Sequence, residues 1–141
     1  MNIAVYRDQH AKALSFVSEI VPHLESAEAV KQHAGALRLS LSKLLGVLKS
    51  HLASEDTFLY PRLMNDPDPK VSETAKAYWN EMGNLAPKVV EFVDKWRQAG
   101  TIEKEPAVFI RECQAVFAAL GSRIEREEKL LYPLFKANNA A

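Results

Sequence analysis

Four segments of the chain carry apolar residues at intervals of three and four, and this spacing limits the fold more than any other feature. Such intervals place side chains along one face of an α-helix, whereas a half-buried strand needs alternate residues. Three clusters rich in proline, glycine and short polar residues separate the segments, at 22–26, 65–69 and 100–106. The chain is therefore predicted to form four long helices, with Pro87 bending the third.

The apolar faces of these helices predict the core. Short connections favour antiparallel neighbours, so the predicted fold is all-α, an antiparallel up-down-up-down four-helix bundle. The first two faces are Ile3, Tyr6, His10, Ala13, Val17, Ile20, Leu24 and then Leu37, Leu41, Leu44, Leu48, His51, Glu55, Phe58. The last two are Val71, Ala75, Tyr78, Met82, Leu85, Val89, Phe92, Trp96 and then Phe109, Cys113, Val116, Leu120, Arg123, Glu127, Leu131, Leu134.

The two halves of the chain repeat each other with an offset of 72 residues. The segment that begins HLASEDTFLYP at His51 aligns with the segment that begins RIEREEKLLYP at Arg123. The same offset pairs Tyr6 with Tyr78 and His10 with Met82, without a gap. The bundle is therefore predicted to consist of one helical hairpin used twice.

Several polar side chains stand inside the predicted apolar faces. His51 and Glu55 are four residues apart and share a helix face, as do Arg123 and Glu127. Counting along the helices brings these residues and His10 to one level of the bundle, so one end of the core is expected to be polar. Two buried carboxylates need a positive partner, which can be a metal ion, a protonated histidine or Arg123.

The positions of these residues resemble the hemerythrin-like (HHE cation-binding) family over essentially the whole chain. The resemblance is carried by His10, by His51 and Glu55 before Leu-Tyr-Pro, and by Glu127-Glu128 before Leu-Leu-Tyr-Pro. It implies a di-iron centre with histidines from all four helices and two bridging carboxylates. It also implies a domain that binds O₂ or responds to oxygen, nitric oxide, redox state or iron.

The sequence departs from the family where the third and fourth helices would supply histidines, because Met82 and Arg123 stand at those positions. A thioether is too soft a ligand for hard iron, so at most one ion is expected. The predicted metal ligands are His10, His51, Glu55 and Glu127, a set acceptable to iron, manganese or zinc.

The same residues also allow other interpretations. His10 and His51 are equally well interpreted as core histidines bonded to the two glutamates, with one ring protonated. Glu128 is an alternative to Glu127 as the residue that faces the site. Tyr6 and Tyr78 are candidates for hydrogen bonds to a carboxylate or to metal-bound water.

Composition narrows the classes of function. The 18 basic residues balance 18 acidic ones, which argues against nucleic acid as a partner. No apolar run reaches the roughly 20 residues that a helix needs to cross a bilayer. The single cysteine, Cys113, suits a reducing compartment, so a cytoplasmic location is expected. Residues 1–141 are expected to form one domain. No pair of nucleophile and base, phosphate loop or cofactor fingerprint indicates an enzyme, and redox chemistry at a single metal ion is the one enzymatic alternative left open.

Two hypotheses follow from the sequence. In the first, the chain is a non-enzymatic binding or sensing domain with a degenerate site for one iron ion, with O₂ or NO as possible ligands and an unidentified protein partner. In the second, it is a metal-free regulatory or protein-interaction module in which Arg123 replaces the metal.

Overall fold

The computed structural model describes residues 3–139, with side chains as far as residue 135, and this part of the chain is helical without strands. None of its helices is both long and apolar enough to cross a membrane. The α-helices are α1 (Ile3–Ile20), α2 (Ala27–Gln32), α3 (Ala34–Ser54), α4 (Tyr60–Met64), α5 (Pro69–Met82), α6 (Leu85–Lys95), α7 (Ala99–Lys104), α8 (Pro106–Arg126) and α9 (Tyr132–Asn139). A 3₁₀ turn covers Val21–Leu24, and π-helical turns cover Glu55–Leu59 and Glu127–Leu131.

The connections between the long helices contain more helix than the sequence predicted. The short helix α2 directly follows the first predicted break, and the short helix α7 occupies most of the third. Ser26 begins α2 by accepting a hydrogen bond from the backbone N–H of Ala29, and Asp68 begins α5 by accepting one from the N–H of Lys70. These side chains satisfy backbone donors that the first helical turn leaves free.

The third predicted helix is broken into two. The expectation of a local bend at Pro87 is wrong, because the interruption lies before the proline. The chain leaves the helix at Gly83 and Asn84, and α6 begins two residues before the proline. Proline has no N–H and its ring collides with the carbonyl four residues earlier, here that of Gly83. A Cβ at Gly83 would lie 2.5 Å from the carbonyl oxygen of Trp79, so only glycine fits this close approach.

The second and fourth helices each widen into a π-helical turn, which regular helical spacing does not predict. In these turns the N–H of Tyr60 bonds the carbonyl of Glu55, and the N–H of Tyr132 bonds that of Glu127, five residues back. The extra residue shifts the following side chains around the helix. As a result Phe58, predicted to be in the core, is 59% exposed, and Leu59 is buried instead.

The core consists of two apolar clusters with the polar side chains between them, so the expectation that one end of the core is polar is wrong. Along each contributing helix an apolar residue of one cluster precedes the polar residue and an apolar residue of the other follows it, as with Leu52, Glu55 and Leu59. The larger cluster contains Cys113, which is fully buried as predicted for a core residue. The polar layer is therefore shielded from water on both sides.

Candidate metal centre

Four side chains converge in the polar layer from three continuous helical stretches of the chain. His10 lies on α1, His51 on α3, and Glu55 and Glu127 begin the two π-helical turns. None is more than 1% exposed, and one ligand atom from each lies within 4.8 Å of all the others. Ligands on opposite sides of an ion with bonds of about 2.1 Å are about 4.2 Å apart, so small side-chain movements would bring all four onto one ion.

The imidazole of His51 is held in an orientation suited to a metal ligand. Its Nδ1 donates to Oε1 of Gln9 at 2.7 Å, which places the ring proton on Nδ1 and leaves a lone pair on Nε2. Burial lowers the pKa of His51 to about 4, so the ring is neutral at neutral pH. Nε2 lies 3.1 Å from Oε1 of Glu55 but has no aligned hydrogen-bond partner among the described residues.

His10 contacts both candidate acidic residues of the fourth helix. Its Nε2 lies 3.3 Å from Oε1 of Glu127, inside the cluster. Its Nδ1 lies 3.3 Å from Oε2 of the half-buried Glu128, away from the other ligands. Glu127 is therefore the acidic residue that faces the centre, and Glu128 contacts the outer nitrogen of His10.

The guanidinium of Arg123 points into the layer and bridges the two carboxylates. Nε donates to Oε2 of Glu127 at 2.9 Å, and Nη2 donates to Oε1 of Glu55 at 3.3 Å and to Oδ1 of Asp56 at 2.9 Å. Nη1 donates to the backbone carbonyl of Met82 at 3.1 Å. Arg123 is 1% exposed, so this fixed positive charge lies beside the carboxylates and away from solvent.

The buried charges shift one another's proton affinities. Burial raises the pKa of Glu55 well above its usual value, and the charge of Glu127 raises it further. Burial alone would also raise the pKa of Glu127, but hydrogen bonding with His10 and the charge of Arg123 bring it down to about 2. Burial disfavours the charge on Arg123, yet both glutamates raise its pKa above the usual value. The layer therefore holds a permanent cation that stabilises a carboxylate.

Two buried tyrosines that were not among the predicted site residues contact the glutamates. Tyr60 donates to Oε2 of Glu127 at 2.8 Å, and Tyr132 donates to Oε2 of Glu55 at 2.6 Å. Each follows a glutamate by five residues, which in an α-helix would place it about 140° around the axis from that glutamate. The π-helical turns return both tyrosines to the site. The repeated Leu-Tyr-Pro was the available signal, and its proline, which cannot donate to the helix, marks the irregular turn.

The remaining predicted residues lie at the edge of the layer. The hydroxyl of Tyr6 bonds Oγ of Ser54 at 2.8 Å and does not meet a carboxylate as expected, and the rings of Tyr6 and His51 are nearly perpendicular. Tyr78 packs half-buried against the smaller apolar cluster. Met82 is half-buried and contributes its backbone carbonyl to Arg123. None of these three adds a ligand atom to the cluster.

The donor set fits one metal ion and does not fit two. Two imidazoles and two carboxylates are acceptable to divalent iron, manganese or zinc, and the unpaired, buried Nε2 of His51 is already free to bind. A second ion would need a further histidine, but the position of the repeat that corresponds to His51 is occupied by the charged side chain of Arg123. This cation binds one oxygen of each glutamate, so a second ion would have to displace it.

Comparison with known proteins identifies a family. Residues 1–135 match the family model described as the hemerythrin HHE cation binding domain. No curated protein and no solved structure matches the chain.

Proposed function

The chain belongs to the hemerythrin HHE cation-binding family, and we propose that it is a non-enzymatic binding or sensing domain that holds at most one iron ion. The ligands are His10, His51, Glu55 and Glu127. Iron in this position would supply a redox-active Lewis acid able to bind a small molecule such as O₂ or NO. A cytoplasmic location belongs to the same proposal and is supported by the single, buried cysteine.

The observation that carries the proposal is the division of the two oxygens of Glu127 between two sides of the layer. Oε2 of Glu127 accepts from Arg123 and Tyr60, while Oε1 of Glu127 faces Nε2 of His10. Arg123 therefore neutralises charge on one side and leaves ligand atoms available on the other. This arrangement supports a single ion with an arginine beside it in place of a second ion.

The antiparallel order of the long helices is part of the proposal. It is supported by contacts in which residue numbers rise along α1 and fall along α3. Tyr6 of α1 bonds Ser54 of α3. Gln9, three residues after Tyr6, bonds His51, three residues before Ser54. Opposite directions of the first two long helices are what an up-down-up-down bundle requires.

Elemental analysis tests the metal assignment. Protein produced in iron-supplemented medium should contain close to one iron per chain, and His51→Ala should lose it because Nε2 is a ligand. His33→Ala is the matched control, since His33 is exposed and lies outside the cluster, and it should keep the metal. Absence of iron after anaerobic reconstitution, or two irons per chain, would contradict the proposal.

A metal-free interaction module is the second candidate, and the contacts of Arg123 favour it. The guanidinium already bonds Glu55, Asp56 and Glu127, which is the task that a structural cation would perform. In this case the chain folds to the same stability with and without a chelator. A clear loss of thermal stability on removal of bound metal would contradict this second function and support the first.

A further inference from the structure

The hydroxyl of Tyr132 lies among three of the four candidate ligands. Its oxygen is 2.6 Å from Oε2 of Glu55, 3.1 Å from Nε2 of His10 and 3.5 Å from Oε1 of Glu127. Its ring stacks on the imidazole of His10, with the two planes inclined by 13°. The phenol is fully buried, so its oxygen is held inside the layer by packing on all sides.

These distances match those between neighbouring ligands of one ion. Two ligands at right angles on an ion with bonds of about 2.1 Å are separated by about 3 Å. Building on the proposed function, we propose that Tyr132 is a fifth ligand, which binds iron through its phenolate oxygen together with His10, His51, Glu55 and Glu127. On binding, the phenol O–H bond breaks, an oxygen–iron bond forms, and the proton leaves to solvent.

Tyr60 shows that this placement is not a general property of the repeated tyrosine. It stands at the position of the repeat equivalent to Tyr132 and is equally buried. Its hydroxyl bonds Oε2 of Glu127, on the side of the layer that Arg123 occupies, and the guanidinium lies 5.2 Å from its ring centre. Among the described residues, only Tyr132 forms a hydrogen bond between its hydroxyl and an imidazole nitrogen of the cluster.

A phenolate ligand has a consequence for the oxidation state of the metal. Two carboxylates and one phenolate supply three hard, anionic oxygens, and such oxygens favour ferric over ferrous iron. The Fe³⁺/Fe²⁺ reduction potential would therefore be lower than that of the same site with only the two histidines and the two glutamates as ligands. Binding of Tyr132 would therefore stabilise the ferric form of the site relative to the ferrous form.

Visible absorption and resonance Raman spectra test the ligand directly. The metal-free protein is loaded with ferric nitrilotriacetate, freed of excess reagent and analysed for iron. The wild type should show a phenolate-to-ferric charge-transfer band, with tyrosine ring modes enhanced by excitation within that band. Tyr132→Phe should lose the band and raise the reduction potential, whereas Tyr60→Phe, the matched control, should keep the band.

The outcomes separate this proposal from the proposed function. One iron per wild-type chain without the charge-transfer band overturns the assignment of Tyr132 alone. The same band in folded, iron-loaded Tyr132→Phe overturns it as well. No bound iron in the wild type overturns both proposals. Should Tyr132→Phe fail to fold, the tyrosine ring modes of the wild type together with those of Tyr60→Phe still decide whether a tyrosine other than Tyr60 binds the ion.

Discussion

His51 and Arg123 stand at equivalent positions of the two repeated hairpins and converge on the same atom, Oε1 of Glu55. Nε2 of His51 lies 3.1 Å from this oxygen, and Nη2 of Arg123 lies 3.3 Å from it. The first group is a neutral imidazole whose Nε2 has no hydrogen-bond partner, and the second is a permanent cation. The first half of the repeat thus places an imidazole beside this carboxylate, and the second half places a guanidinium there. The polar layer is therefore asymmetric.

Replacement of Arg123 by alanine is expected to destabilise the metal-free protein strongly. The change leaves Glu55 and Glu127 buried without their cation, which typically costs about 3–5 kcal/mol. Urea denaturation at neutral pH measures the free energy of unfolding. Arg126→Ala is the control, because Arg126 pairs with Glu81 at the surface, where a pair contributes about 0–1 kcal/mol. Equal effects of the two changes would contradict the bridging role of Arg123.

Two substitutions together are expected to open the site to a second ion. Arg123→His combined with Met82→His removes the guanidinium and supplies an imidazole at each of the two positions where the repeat lacks one. Iron content after anaerobic reconstitution should rise to near two per chain. Arg123→Gln with Met82→His removes the same charge but adds only one imidazole, so its iron content should stay at or below one. No increase in the double histidine variant would argue against the equivalence of these positions.

The register set by the first π-helical turn predicts a large effect on stability at one residue and a small effect at its neighbour. Leu59→Ala removes a fully buried side chain and should cost about 2–5 kcal/mol of unfolding free energy. Phe58→Ala removes a larger side chain that is 59% exposed and should change the free energy by less than about 0.5 kcal/mol. Thermal or urea unfolding of the two variants distinguishes them. A regular α-helix through this segment would give the reverse order.

The break in the third helix predicts that two glycines respond differently to alanine. At Gly83 a Cβ would lie 2.5 Å from the carbonyl oxygen of Trp79, so Gly83→Ala should destabilise the fold by about 1–3 kcal/mol. At Gly46, within α3, no atom lies within 4 Å of an added Cβ. Gly46→Ala should therefore stabilise the fold by about 0.5–1 kcal/mol. Stabilisation by both changes would mean that the helix runs unbroken past Gly83.

Much of the candidate site could be predicted from sequence because its residues are related by helical spacing. His51 and Glu55 are one turn apart, and the repeat aligns Glu127 with Glu55, so their meeting follows from regular helices that pack together. Tyr60 and Tyr132 could not be predicted in the same way. Their approach depends on π-helical turns, and regular periodicity places them on the wrong face.

The orientation of Arg123 also lay beyond the sequence. Its spacing allowed the guanidinium either to enter the layer or to turn toward solvent, and both choices suit a long, charged side chain. Asp56 and the carbonyl of Met82 decide between them, because they accept from the arginine together with the two glutamates. The role of Asp56 could not be predicted from the sequence, since it depends on a contact between separate helices.

The sequence by itself determined the helical class, most of the apolar faces, the repeat and the four residues that meet in the polar layer. These are consequences of local periodicity, which each segment carries without reference to the others. Only the tertiary structure decided which oxygen of each glutamate faces the arginine, which tyrosine reaches the histidine, and that apolar packing closes the layer from both sides. Those features depend on angles and distances between helices, and small irregularities such as an extra residue in a turn change them.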